Sequence, residues 1–396
     1  MSRVLFVVPP LTGHINPTVA VGGELSARGH QVAWAGHPAT LRALLPSESA
    51  AAGGPGRSSA VFPVVDDTLD ARLREGRDRW LRLRGAAALK FFWEDFVIPL
   101  GVAMLPGVQA AVTRFAPDVV VADQQAVAGP VAARRAGIAW ATSASTPAEL
   151  LRPLASLPKV EQWIRDQMAS FQAGCGLGTP VDLRFSDRLV LVYTTAALMG
   201  DTSGFGGQYV FTGPALAGRR DNGSFPWDWL DPDRRHLLIS LGTLNGAAGE
   251  RFFRVVIDAL AGLAKELQVV ITGAPLDEAP EYVLLADHVP QLALLPHMSA
   301  VVSHGGHNTV CETLAHGLPL VVTPIRDDQP IIAQQVADAG AGIRLRFGRL
   351  RASELRNAIR AVLDDPSYRN AAGRVRDSFA AAGGAAAAAD HLEKLL

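Results

Sequence analysis

Along this chain, short apolar β-rich runs alternate with helix-forming stretches, and they do so in two separate series, which restricts the fold more than any other feature. The first series has strand patterns at Val4 to Val8, Gln31 to Ala35, Val61 to Val65, Val119 to Val121, Ala139 to Ser143 and Leu189 to Tyr193. The second has strand Leu237 to Leu241, helix Glu250 to Lys265, strands Gln268 to Thr272 and Ala300 to Ser303, a helix to His316, strand Leu318 to Thr323 and a helix from Gln329. Strands that alternate with helices pair in parallel and need both sheet faces covered. Between the series, residues 213–235 turn to Gly, Pro, Asp, Asn and Trp without a sustained period, as a linker does. The expected architecture is therefore α/β, with two Rossmann-like doubly wound domains. Open sheets of this kind take ligands beyond the carboxyl ends of their strands, so two of them facing each other would line a cleft from both walls.

A length of 396 residues with 48% hydrophobic composition is enough for two cores. Charge narrows the partners: 37 basic against 38 acidic side chains leave −1, too little for a nucleic-acid coat or a polybasic membrane anchor. A small-molecule partner follows. Cys175 and Cys311 stand alone, which argues against a disulfide framework or zinc knuckle. The apolar start Val4 to Val8 is stopped by Pro9-Pro10 with no small-residue cleavage site, and no run reaches the roughly 18 to 20 apolar residues of a membrane span. The expectation is a cytoplasmic protein without stable membrane insertion; oligomeric state stays open.

Several motifs are missing or misplaced. No G-x-x-x-x-G-K-[ST] occurs, and no strand runs into G-x-G-x-x-G, so P-loop ATPases and dinucleotide dehydrogenases lack their phosphate loop. His304 and His307 are separated by two glycines and have no third ligand for zinc. Asp231-Pro232-Asp233 has a D-x-D form that some sugar transferases use for a divalent cation, yet inside a Pro-rich linker it reads as a turn. No metal and no resident cofactor are expected.

The densest chemistry lies at Ser303-His-Gly-Gly-His-Asn-Thr-Val-Cys-Glu312, where a strand ends in a glycine loop that opens into a helix. Amides at such a helix start, with the positive end of the dipole behind them, can dock a pyrophosphate without a dedicated lysine, and Gly305 and Gly306 allow close approach. Asn308 and Glu312 are four apart and share one helix face, which would set Glu312 on a ribose and Asn308 near phosphate. Thr309 and Glu312 also fit a capping box that merely satisfies the helix's own first amides. Both alternatives stand at this point.

Around this stretch lie Val289-Pro290-Gln291 and Leu294 to His297, then Gly317-Leu318-Pro319, then Pro324-Ile-Arg-Asp-Asp328-Gln329. With H-G-G-x-N-T-x-x-E, G-L-P and P-x-x-x-D-Q in this order, the sequence resembles the family-one nucleotide-sugar glycosyltransferases of the two-domain GT-B fold. These include plant UDP-glycosyltransferases and actinobacterial antibiotic and macrolide glycosyltransferases. The resemblance implies that His304, Asn308 and Thr309 contact the donor diphosphate, Glu312 the ribose, and Asp328 and Gln329 the donor sugar. Thr243, at the end of the first strand of this half, stands where relatives place a phosphate-contacting hydroxyl. Its alternative is a plain turn. His288, Val289 and Gln291 stand at the base, although His288 occupies a position that is commonly an aromatic. Ile332-Ala333 replaces the common Asn-Ala, and Ile332 is not expected to touch the donor.

Transfer to an alcohol requires loss of the hydroxyl proton as the C–O bond forms, which suits a neutral imidazole. His14, in Gly13-His-Ile-Asn-Pro17, matches the family's general-base position. It precedes a helix start predicted at Asn16-Pro17, where the dipole disfavours imidazolium. A loop histidine of no function is its alternative. Asp123, at a strand's carboxyl end, matches the family's partner aspartate, which fixes the tautomer and supports the imidazolium; otherwise it caps the next helix. Trp80, Phe91, Phe92, Trp93, Phe96, Trp163 and Phe171 fall where relatives build the acceptor pocket, though most are expected in the core. Any that line a pocket imply a large lipophilic acceptor.

The expected division is 1–212 for acceptor binding, 213–235 as linker, 236–378 for the nucleotide sugar, and 379–396 as a C-terminal helix packing back on the first domain. The expected activity is inverting transfer of a hexose from a UDP- or TDP-sugar to a hydroxyl of a lipophilic natural product. A nucleotide-sugar epimerase and a non-catalytic helper subunit are the alternatives.

Overall fold

The computed structural model describes residues 1–46, 60–65, 71, 75–76, 79–80, 83–151, 156–218, 223–242, 248–274, 276 and 278–396. The chain forms two compact units. One comprises Met1–Tyr193, Ser203–Arg220 and Gly383–Leu396, the other Thr194–Thr202 and Asp221–Ala382. Each is built on a parallel sheet.

In the first unit the strands are β1 (Arg3–Val7), β2 (Gln31–Gly36), β3 (Ala60–Pro63), β4 (Val119–Asp123), β5 (Ala139–Ala144), β6 (Val190–Val192) and β7 (Tyr209–Phe211), in the order β3-β2-β1-β4-β5-β6-β7. All pairs are parallel. Alternate residues of β1 enter opposite cores: Leu5 and Val7 join Leu100, Met104 and Val108, while Val4 and Phe6 join Val19, Leu25 and Trp34. Burial on both faces explains why the strand reads as a continuous apolar run. The order reverses between β1 and β4, so the carboxyl ends of these two strands flank a topological switch point, where such sheets bind ligands.

Helix α1 (Thr12–Ala27) starts earlier than the sequence predicts, with Leu11 at its N-cap. Leu11 O accepts from His14 N at 3.0 Å and Ile15 N at 3.1 Å, which closes the first turn ahead of Asn16. Asn16 and Pro17 are buried inside the helix, and Pro17 forgoes one i→i−4 bond there. Helix α2 (Ile98–Phe115) continues a helical stretch from Gly85 that is, by length and composition alone, apolar enough to cross a membrane. In this unit Leu100, Met104, Val108 and Val112 of that stretch are buried in the core against the sheet. Trp93 and Phe171 are buried in the same core, with Phe92, Phe96 and Trp163 packed against it.

The second unit carries β8 (Arg235–Ser240), β9 (Leu267–Thr272), β10 (Val283–Ala286), β11 (Ala300–Ser303), β12 (Leu320–Val322) and β13 (Gly342–Arg344), in the order β10-β9-β8-β11-β12-β13. Its reversal lies between β8 and β11, with Ser240 opposite Ser303. Part of the stretch read as linker packs on this unit: Phe225 is buried beside Leu294 and Met298, and Asp231 N donates to Gln268 Oε1 at 2.7 Å. Asp231 Oδ1 accepts from Asp233 N at 3.0 Å, so Asp231-Pro232-Asp233 is a turn stabilised by its own side chain.

The Ala-rich tail is two helices, Pro366–Ala382 and Gly384–Glu393, broken at Gly383 (φ 85°) and Gly384 (φ 55°), a left-handed pair that other residues adopt only with strain. Gly384 N donates to Thr212 O at 2.7 Å, and Ala385, Ala388, Ala389 and Leu392 join the core of the first unit. Arg28 donates to Asp390 at 2.5 Å and Glu393 at 3.0 Å, and His30 Nε2 lies 2.9 Å from Glu393.

Candidate functional site

Each unit places a cluster of chemically active side chains at its own switch point. In the first, Val7 pairs with Ala122, so the chain leaving β1 for α1 runs beside the end of β4, where Asp123 sits. The early start of α1 puts His14 in its first turn rather than in a loop ahead of it. The residue therefore stands at the positive end of the helix dipole. His14 Nδ1 is 3.0 Å from Asp123 Oδ1, with the imidazole 15% exposed and the carboxylate fully buried.

Asp123 does not cap the next helix, which begins at Ala128 behind Val127. Its Oδ1 also accepts from Gln125 N at 2.9 Å, and its Oδ2 accepts from Ser145 Oγ at 2.5 Å. Ser145 Oγ in turn lies 2.7 Å from His14 Nδ1. With Asp123 Oδ1 as the acceptor, its contact with His14 Nδ1 favours the imidazole tautomer with its proton on Nδ1. The lone pair then lies on Nε2, the nitrogen a base needs. Glu149 lies close enough to interact with both His14 and Asp123; burial pushes its carboxyl above the usual range, against the pull of Arg184 and a hydrogen bond from Gln124.

In the second unit, β11 ends at Ser303 and α3 (His307–Ala315) begins after the N-cap Gly306. His304 is folded back into the protein between two glycines. A Cβ on Gly306 would lie 2.7 Å from His304 Nε2, and one on Gly242 2.7 Å from His304 Cε1, so neither position has room for a side chain. Burial pushes His304 down to about 4, which makes it a neutral imidazole at neutral pH, and its Nδ1 is buried without a hydrogen-bond partner. Such a nitrogen costs free energy unless a ligand or water meets it.

Asn308 and Thr309 are half-buried in the first turn of α3. Thr309 is the third residue of the helix, not its cap, and Glu312 is the sixth, out of reach of the first amides. The capping-box alternative is thereby removed. Glu312 is 2% exposed and accepts instead from Gln291 Nε2 at 2.5 Å, which brings together two residues that the sequence assigns to nucleotide binding. Val289 is half-buried against the apolar cluster around Leu294, while His288 is exposed. Asp328 stands at the N-cap of helix α4 (Gln329–Asp338), just after Asp327, whose φ of 56° is strained for a non-glycine residue. Gln329 is buried, and its Oε1 accepts from Ile325 N at 2.9 Å and Arg326 N at 3.1 Å, holding the loop before α4 in shape. Ile332 is fully buried. Thr243 and residues 47–59 lie outside the described residues.

Among the described residues no group of three or more His, Cys, Asp and Glu side chains could hold a metal ion. Ser145 and Gln124 are residues of the first cluster that motif reading does not single out. Their only signal is adjacency: Asp123 and Ser143 are partners on neighbouring strands, which sequence spacing alone does not reveal.

The chain is similar to several known proteins. Residues 254–395 match the family described as Erythromycin biosynthesis protein CIII-like, C-terminal domain. The demethyllactenocin mycarosyltransferase of Streptomyces fradiae is 28% identical, covering 100% of this chain and 87% of its own. The crystal structure of CalG4, the calicheamicin glycosyltransferase, superposes with a TM-score of 0.75 at 25% identity, covering 100% of this chain and 98% of that one. That of glycosyltransferase VinC, determined in complex with dTDP, gives 0.72 at 21% identity and covers 99% of both.

Proposed function

We propose, from the premise that this chain is a glycosyltransferase of the GT-B fold whose residues 254–395 match the erythromycin-biosynthesis C-terminal domain, that it moves a hexose from a UDP- or TDP-sugar to a hydroxyl of a lipophilic natural product with inversion. The observation that carries this reading is the 3.0 Å contact between His14 Nδ1 and Asp123 Oδ1 at the start of α1. It leaves the lone pair of Nε2 to take the acceptor proton. The acceptor oxygen then attacks the anomeric carbon while the bond from that carbon to the diphosphate oxygen breaks, and the nucleoside diphosphate leaves with the bonding electrons. A single displacement inverts the centre.

In the second unit the leaving charge is met by the amides at the start of α3, beside which His304 stands as a neutral ring turned to the Ser240 backbone. Glu312, oriented by Gln291, accepts from the ribose hydroxyls, and Asp328 and Gln329 address the sugar. The dTDP of VinC and the natural-product names of the relatives support the donor class and the acceptor class.

The test is incubation with UDP- and TDP-hexoses, alone and with a panel of lipophilic alcohols, read by mass spectrometry with anomeric configuration assigned by NMR. An inverted glycoside is expected, undiminished by exhaustive EDTA treatment. Epimerised donor, no product, a retained anomer, or activity lost to chelation and restored by Mg²⁺ would each overturn the corresponding part.

Glu312→Ala checks the donor half. Losing hydrogen bonds to a charged acceptor costs about 1.5–3 kcal/mol, so donor affinity by calorimetric titration should fall roughly 10- to 150-fold. Unchanged affinity with a lowered melting temperature would make Glu312 a packing residue of α3 that merely pairs with Gln291.

A further inference from the structure

We infer that Ser145 is a positioning residue for the His14–Asp123 pair: its hydroxyl grips the second carboxylate oxygen and moderates the negative charge that the imidazole experiences. This rests on His14 and Asp123 acting together, as proposed above.

The proton count of the cluster has one consistent solution. Asp123 is an acceptor only, so the 2.5 Å contact at Oδ2 is donated by Ser145 Oγ. With its single proton spent there, Ser145 Oγ faces His14 Nδ1 at 2.7 Å as an acceptor. The Nδ1 proton is then shared between Asp123 Oδ1 at 3.0 Å and the serine oxygen. The three side chains form a closed triangle in which every contact has a donor and an acceptor.

The backbone is built to keep the serine there. Asp123 and Ser143 are partners across β4 and β5, and a tight turn, Ser145 N to Ser143 O at 3.1 Å, brings Ser145 back over the strand ends. The next residue is clamped from both sides by one amide: Gln124 Oε1 accepts from Thr146 N at 3.0 Å, and Gln124 Nε2 donates to Thr146 O at 3.4 Å. Tyr193, from the end of β6, fixes Ser143 by a 3.1 Å contact between the hydroxyls. A serine that merely filled space would need neither the turn nor the clamp.

The chemical consequence concerns how basic His14 is. A hydroxyl donating to a carboxylate stabilises its charge and weakens its pull on a neighbouring proton. Without Ser145, Asp123 Oδ2 loses its donor and the Nδ1 proton turns wholly to Asp123, so the imidazolium becomes more favourable. A base that is already protonated at the working pH cannot take the acceptor proton. The other charged or titratable groups that interact here are Glu149 with His14 and Asp123, Arg184 with Glu149, and Tyr193 with Asp123, besides the amides at the start of α1. All of these are unchanged in a Ser145 variant.

The experiment is an NMR titration of the His14 ring in the full chain without substrates, its resonance identified among the 10 histidines by its loss in His14→Ala. Ser145→Ala is expected to raise the His14 midpoint by about half a unit to one unit, and Asp123→Asn to lower it, since removing the charge takes away the imidazolium's partner. Ser145→Thr, which keeps the hydroxyl, should titrate as the wild type does. An unchanged or lowered midpoint in Ser145→Ala overturns the inference. The acid limb of kcat/KM should move with the midpoint; a midpoint that moves while the acid limb stays put leaves the role of Ser145 standing and removes His14 as the base.

Discussion

Replacing His14 by alanine is expected to reduce transfer to alcohols by roughly 10²- to 10⁴-fold, the range that a positioned general base contributes, with donor affinity unchanged. The side chain is at the surface end of its cluster, 15% exposed, and its removal leaves the Asp123 carboxylate held by Gln125 N and Ser145 Oγ. The fold therefore has little reason to suffer, and a loss of activity reports on chemistry. Full activity in His14→Ala would sink the assignment. Weakened donor binding with unchanged kcat would place the residue in recognition instead.

Asp123→Asn is expected to cost less, about 10- to 150-fold in kcat, from the loss of a charged hydrogen bond worth roughly 1.5–3 kcal/mol. The asparagine offers one acceptor where the aspartate offers two, and an amide nitrogen toward either His14 or Ser145 meets a proton already there. The imidazole is then less firmly held with its proton on Nδ1, and the imidazolium that forms as the acceptor is deprotonated lacks an opposite charge. Steady-state kinetics over a range of pH should show the loss in kcat rather than in the KM for donor. Equal turnover of the variant and the wild type would remove the pair from the mechanism.

How much of this was legible follows from the range of each interaction. Doubly covered strands announce themselves because both faces are apolar, so β1, β4, β8 and β11 are plain in the sequence, and with them the two switch points. Strands β7, β10 and β13 are half-covered edge strands, which the two-faced apolar signal does not mark. The glycine loop before α3 is legible because Gly242 and Gly306 leave room for one imidazole and nothing more. The start of α1 misleads because Pro17 advertises a first turn that Leu11 already closes. Thr309 and Glu312 have capping-box spacing, but only the position of Gly306 at the N-cap decides that they do not cap. Ser145 and Gln124 belong to the first cluster through strand register, which no local spacing encodes.

The break at Gly383 and Gly384 has a bearing on how such a chain can be recombined. Because the last helix belongs to the unit that the first residues begin, the second unit is in effect an insertion within the first, with a junction near residue 220 and another at Ala382 and Gly383. A chimera that joins one parent's front half to another's back half at a single point near residue 220 would marry a foreign Gly384–Glu393 helix to α1. Its alanines would have to fit the resident core, and its acidic residues would have to meet Arg28 and His30. A two-junction exchange that returns to the first parent at Gly383 keeps that seam native. The segment Thr194–Thr202, which belongs with the second unit, lies before the junction near residue 220 and would stay with the first parent unless it is exchanged as well.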